Sequence, residues 1–145
     1  MCDSPHVKQT WAGTNLSAPS LSAFVSDGPD GRVWTWQGVI ADARVMVPKD
    51  TVRGLTGEAD IALLADGKTL IAVMRVDGNC TCGMARVGPE QQAECGIYRN
   101  YYQSFSSDNA KTWSRATPMP GLGCVRPHLL SFGSRGLVVS GGRLW

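Results

Sequence analysis

The sequence predicts an all-β fold, and three observations carry that expectation. No window of eleven or more residues holds the i, i+3, i+4, i+7 apolar spacing of a helix without a glycine or proline breaking it. Short runs rich in Val, Ile, Leu and Thr recur instead, each bounded by turn residues. Glycine supplies 17 of the 145 residues and proline 8, more than the ~12% of average usage for the pair, as a chain with many turns requires.

The expected strands follow in order. Val33–Ile40 and Ala43–Val47 are separated only by Ala41 and Asp42. Ile61–Ala65 and Thr69–Val76 flank Asp66-Gly67; Asp-Gly is a strong hairpin signal, and a type I′ turn there would put both residues at positive φ. Ile97–Ser106 carries Tyr98, Tyr101 and Tyr102, which read as packing residues or as stacking platforms for a ligand. His128–Phe132 and Leu137–Ser140 flank Gly133-Ser-Arg-Gly136 and form the second expected hairpin.

The two hairpins read alike: Leu-Leu, a glycine turn, an apolar strand and a terminal arginine. Leu63 to Leu129 is 66 residues, Arg75 to Arg143 is 68, and Trp34 to Trp113 is 79. Such offsets suggest an internal repeat with one insertion, and residues 77–96, which break the strand pattern, are its natural place. Repetition of four-stranded sheets about an axis is a β-propeller.

Composition excludes several classes of function. Hydrophobic residues at 43% are enough to bury a core, so a disordered polyelectrolyte is excluded. No apolar run exceeds the five residues of Leu70–Met74, whereas a membrane-spanning helix needs about 20. The N-terminal residues show neither the basic nor the apolar region of a signal peptide, and the compartment stays open. A net charge of +2 without a basic run gives no footprint for nucleic acid. Arginine outnumbers lysine ten to four, which is either composition bias or a preference for the guanidinium fork, suited to planar carboxylates. The five cysteines, at 2, 80, 82, 95 and 124, are an odd number and make no disulfide framework. Cys80 or Cys82 with Cys95 could form one bridge. The C-x-C spacing and the lack of a second pair argue against zinc, so no metal site is expected.

Ser106-Ser-Asp108-Asn-Ala110-Lys-Thr112-Trp113 resembles the Asp box of sialidases and other BNR-repeat propellers, S-x-D-x-G-x-T-W. Its Ser and Asp side chains are suited to bonding the backbone of a tight turn, and its Trp to packing between strands. Ala110 stands where glycine is usual, at a position that wants positive φ. Gly31-Arg-Val-Trp34 looks like a degenerate second box with Pro29 in the Asp position.

The flanks extend the resemblance. Glu58 through the Asp66-Gly67 hairpin to Arg75, an interval of 17 residues, is similar to the sialidase stretch from a catalytic glutamate to the second arginine of the triad. Met119–Phe132, with Gly123-Cys124-Val-Arg126-Pro, resembles a later family segment, and Gly141-Gly142-Arg143 ends it. The resemblance covers Val33 to Trp145 and leaves residues 1–30 poorly matched, so the expected organisation is a partial propeller domain over residues 31–145.

The resemblance implies a six-bladed propeller, of which this chain holds about two blades, and an exo-sialidase that removes terminal sialic acids from glycoconjugates without a cofactor. Three arginines hold the substrate carboxylate, since guanidinium binds it bidentately at any working pH. A tyrosine attacks in place of a carboxylate, a glutamate takes the phenolic proton, and an aspartic acid protonates the leaving oxygen. By resemblance Glu58 is that general base and Arg75 the second triad arginine. Arg126 lines the central cleft or sits on the surface. Ser106, Asp108, Thr112 and Trp113 are structural. The bland alternatives are a solvated strand-edge residue for Glu58, an arginine reaching to solvent for Arg75, and a mere strand end for Arg143.

Departures from the pattern matter as much. The N-terminal Phe-Arg-Ile-Pro motif is missing, and Asp42 or Asp60 would have to stand in for the acid aspartate without its context. The third arginine and the nucleophilic tyrosine are expected beyond Trp145. A two-blade piece leaves sheet faces open, so the chain reads as a fragment, a truncated reading frame or a reduced relative, inactive by itself. The competing expectations are a non-catalytic Asp-box propeller module that binds glycans or proteins, and a structural remnant.

Overall fold

The computed structural model describes residues 20–26, 28–42, 54–77, 100–123 and 125–142. Among them the fold is all-β: antiparallel sheets, with a single 3-10 turn at Gly133–Arg135. Strands β1 (Ser20–Ser26) and β2 (Trp34–Asp42) form a two-stranded sheet. β3 (Gly54–Leu63), β4 (Leu70–Asp77), β5 (Tyr102–Ser106) and β6 (Thr117–Pro118) form a four-stranded meander in sequence order. β7 (Val125–Ser131) and β8 (Leu137–Gly142) form a third sheet.

The central meander is covered on both faces, which is why β4 is the most deeply buried strand. Alternate side chains of a strand point to opposite faces. Ala72, Met74 and Val76 join Ala23, Ile40 and Ala41 of the β1–β2 sheet in one cluster. Ile71 and Val73 join Tyr101 in another, against Val125, Leu129, Leu137 and Val139 of the β7–β8 sheet. The near-continuous apolar run Leu70–Met74 is the signature of a strand buried on both sides. Val73, Met74 and Val76 are almost wholly excluded from solvent, each contributing ~1.5–3 kcal/mol of transfer free energy.

Several sequence expectations are refined. β1 and the two-residue β6 were not expected; β1, Ser-Leu-Ser-Ala-Phe-Val-Ser, alternates in a way that weak apolarity obscures. β3 begins at Gly54 rather than Ile61, and its irregular pairing between Leu55 and Ala59 explains why its first half lacks a clean period of two. The Asp66-Gly67 hairpin exists, but its turn is not type I′. Gly67 takes positive φ (68°) and Asp66 does not; Leu64 N–H bonds the Thr69 carbonyl at 2.8 Å, and Gly67 N–H bonds the Leu64 carbonyl at 3.0 Å. Asp66 instead accepts from Lys68 N–H, Thr69 N–H and the Thr69 hydroxyl, and so closes a longer loop. Residues 43–53, with the expected strand Ala43–Val47, lie outside the described residues. So do residues 78–99, with Cys80, Cys82, Cys95, Tyr98 and most of the expected insertion.

Candidate functional site

The site is built on the β3–β4 pair. Ala59 faces Met74 and Asp60 faces Val73 in register. Just before this regular stretch, Glu58 lies across from Arg75. Arg75 Nη1 donates to Glu58 Oε2 at 2.9 Å, with the arginine side chain 14% and the glutamate 32% exposed. The 17-residue interval read from the sequence is therefore a spatial pair, joined through the hairpin that the interval spans.

β7 supplies a third member. Its pairing with β8 is irregular between Val125 and His128, and Arg126 takes φ 48°, the left-handed region. That backbone turns the Arg126 N–H toward β3, where it donates to the same Glu58 Oε2 at 2.9 Å. The Arg126 side chain is exposed. The hydrogen bond from Arg75 holds the Glu58 carboxyl below its ordinary pKa of 4.5; partial burial opposes the shift, and the Arg126 N–H and both guanidinium charges reinforce it. Glu58 is thus a fixed anion at neutral pH, fastened to two sheets.

Sequence reasoning gave Asp60 only as a stand-in acid without context; its place in the structure is specific. Asp60 lies two residues beyond Glu58 on the same face of β3, and its Oδ2 accepts Leu129 N–H at 2.7 Å. Its Oδ1 accepts the N–H of Ile61 at 2.9 Å, and His128 Nδ1 stands 3.8 Å from Oδ2. The alternation Glu-x-Asp was the available signal: two carboxylates at i and i+2 on a strand share one face. Asp42, the other stand-in, ends β2 in register with Ser20.

The Asp-box segment forms the turn between β5 and β6. Ser106 Oγ donates to Asp108 Oδ1 at 2.9 Å and accepts Ala110 N–H at 3.1 Å. Thr112 donates its N–H to Asp108 Oδ1 at 2.9 Å and its hydroxyl to Oδ2 at 2.6 Å. Trp113 Nε1 donates to the Ala110 carbonyl at 3.1 Å, while its ring packs on the core shared with the β1–β2 sheet. The two Thr112 bonds, with help from Ser106 and Lys111, hold the Asp108 carboxyl at about 2. Ala110 takes φ 66°, the conformation for which glycine is usual. Asp66 has the same chemistry in the β3–β4 turn, held at about 2 by the Thr69 hydroxyl and the Thr69 and Lys68 amides. The turn before Trp34 is bonded more loosely: Ser26 Oγ donates to the Gly28 carbonyl, Arg32 N–H donates to Asp30 Oδ1 at 3.4 Å, and Trp34 is exposed.

Of the remaining candidates, Tyr101 is buried between sheets with its hydroxyl on the Val125 carbonyl at 3.2 Å, and Tyr102 packs on the core shared with the β1–β2 sheet. Both are packing residues. Arg143 lies outside the described residues. A shallow apolar groove of about 330 Å³ lies between the two hairpin turns, lined by residues such as Leu64, Ser131 and Leu137, and involves neither Glu58 nor Arg75. Among the described residues no group of three His, Cys, Asp or Glu side chains could hold a metal ion, and no helix is long and apolar enough to cross a membrane. No family model, curated protein or solved structure matches the chain.

Proposed function

We propose that the chain is part of a sialidase-type β-propeller, with the β3–β6 meander as one blade, and that it contributes to a glycoside hydrolase site acting on terminal sialic acids. The observation that carries this reading is the Glu58–Arg75 pair, with Arg126 brought to the same carboxylate from the neighbouring sheet. The Asp-box turn, closed by Ser106, Asp108, Thr112 and Trp113 between the third and fourth strands of the meander, supports it independently. In this reading Arg75 and Arg126 present guanidinium charge to the sugar carboxylate. Glu58, ionised at neutral pH, accepts the proton of an attacking tyrosine supplied from elsewhere in the complete site.

One observation favours a second reading, a non-catalytic module that binds acidic glycans. Glu58 accepts both of its bonds on a single oxygen, and its pKa is lowered; a general base works best with a pKa near the operating pH, and this carboxylate is pulled the other way. Both readings expect free sialic acid to perturb the Arg75 and Arg126 resonances in an NMR titration, and Arg75→Ala to abolish that response while the fold stays intact. Both also expect the 145-residue chain by itself to leave a fluorogenic sialoside uncleaved. Sialic acid that moves neither arginine would overturn both; Glu58-dependent turnover by the chain alone would overturn the binding-module reading and the expectation of inactivity.

A further inference from the structure

We infer that Asp60 is a positioning residue for the Glu58 centre, acting through β7 rather than on a ligand. The inference deepens the proposed site and takes from that reading only the importance of Glu58. β7 leaves its regular pairing with β8 between Val125 and His128, and two carboxylates of β3 grip the strand around that irregularity. Glu58 takes the Arg126 N–H within it; Asp60 takes the Leu129 N–H just past it, at 2.7 Å. β3 and β7 belong to different sheets, so these side chains stand in for ladder bonds that the backbones do not make. Arg126 is held at φ 48°, a left-handed conformation that strains an L-residue, so something must hold it there. Glu58, with the Tyr101 hydroxyl on the adjacent Val125 carbonyl, fixes one end of the irregular stretch and leaves the rest of β7 free to relax about it. The Asp60 bond fixes a second point three residues on, and the segment between them then has one way to reach Glu58. Asp60 also bonds its neighbour Ile61 N–H, which locks its own rotamer.

The test reads the chain itself and not a sugar, so the inference and the sialic acid reading fail separately. In Asp60→Ala the Arg126 amide should exchange with solvent about tenfold faster, and the Glu58 carboxyl, followed by carbon-detected NMR, should titrate closer to 4.5. Asp60→Asn, whose side-chain oxygen still accepts from Leu129, should restore most of both. A folded Asp60→Ala chain with unchanged Arg126 exchange and Glu58 titration overturns the inference. Should the alanine variant fail to fold, the unsubstituted chain decides. Its Arg126 and Leu129 amides should lose protection together as one unit in native-state hydrogen exchange at rising urea; an Arg126 amide that opens while Leu129 stays protected overturns the inference.

Discussion

Ala110 and Trp113 are joined across a single turn: the indole N–H donates to the Ala110 carbonyl at 3.1 Å, while Ala110 itself is held at φ 66°. The bond needs that carbonyl direction, so the turn imposes a left-handed conformation on a residue with a Cβ. Substituting glycine at this position is expected to change stability little. Relief of the left-handed strain gains ~1–2 kcal/mol. Loss of one buried methyl costs ~0.8 kcal/mol, and the extra freedom of glycine in the unfolded chain a further ~0.5–1 kcal/mol. Ala110→Gly should therefore lie within ~0.5 kcal/mol of the parent in urea denaturation. Ala110→Val, branched at positive φ and only 3% exposed, should lose ~2 kcal/mol or more.

Gly38 shows how closely the Asp-box turn lies on its neighbour. A methyl group at Gly38 would collide with the Lys111 carbonyl oxygen and press on the Ala110 carbonyl at 3.0 Å, both of them backbone atoms that cannot swing aside. Gly38→Ala should destabilise the chain by ~2 kcal/mol, in the range of core overpacking. Gly67 is the control: it has nothing within 4 Å and φ 68°, so Gly67→Ala should cost only the left-handed penalty, ~1 kcal/mol. Equal losses at the two positions would show that the β1–β2 sheet does not pack on this turn.

These two glycines also mark what was legible in the sequence. The strands with strong local signals, β4 and β8, and both hairpins were readable, because an apolar run between turn residues needs no tertiary information. So was the need for positive φ at Ala110, since the motif itself fixes it. The packing of Gly38 was not, because the carbonyl it meets belongs to a residue 73 positions away. The bond that Leu129 N–H donates to Asp60 was hidden for the same reason, spanning 69 positions between strands of different sheets. The Asp66-Gly67 turn misled, because the dipeptide has two solutions and Thr69 selects the looser one by bonding Asp66 with both its amide and its hydroxyl.

Acid should weaken the Glu58 centre in a defined direction. Its folded pKa lies below the 4.5 of an unperturbed glutamate, so the stability it contributes is fully present above that value and is lost as pH falls through the folded pKa. The stability difference between the parent and Glu58→Gln should therefore hold above 4.5 and shrink as the pH falls below it. A double-mutant cycle with Arg75→Gln should give a coupling of ~1 kcal/mol at neutral pH, the upper end for a partly exposed pair, and less in acid. Asp66 and Asp108 are held at about 2 against an ordinary 3.8, so their contributions should be lost progressively as the pH falls from 3.8 towards 2. A pH-independent cycle would mean that the Glu58–Arg75 contact is not ionic in solution.

Arg126 separates backbone from side chain more cleanly than any other position in the site. Its N–H, not its guanidinium, bonds Glu58, and its φ of 48° suits glycine. Arg126→Gly should therefore keep the hydrogen bond and hold the unfolding free energy at or slightly above that of the parent, the gain limited to ~1 kcal/mol by the entropy of glycine in the unfolded state. The Glu58 carboxyl should still titrate below 4.5, since the Arg75 hydrogen bond is the largest cause of its shift. Sialic acid binding should nevertheless fall, because the guanidinium proposed to meet the sugar carboxylate is gone. Loss of fold in Arg126→Gly would show that the exposed side chain holds β7 in place. Undiminished sialic acid binding would leave Arg75 as the carboxylate contact and remove Arg126 from the site.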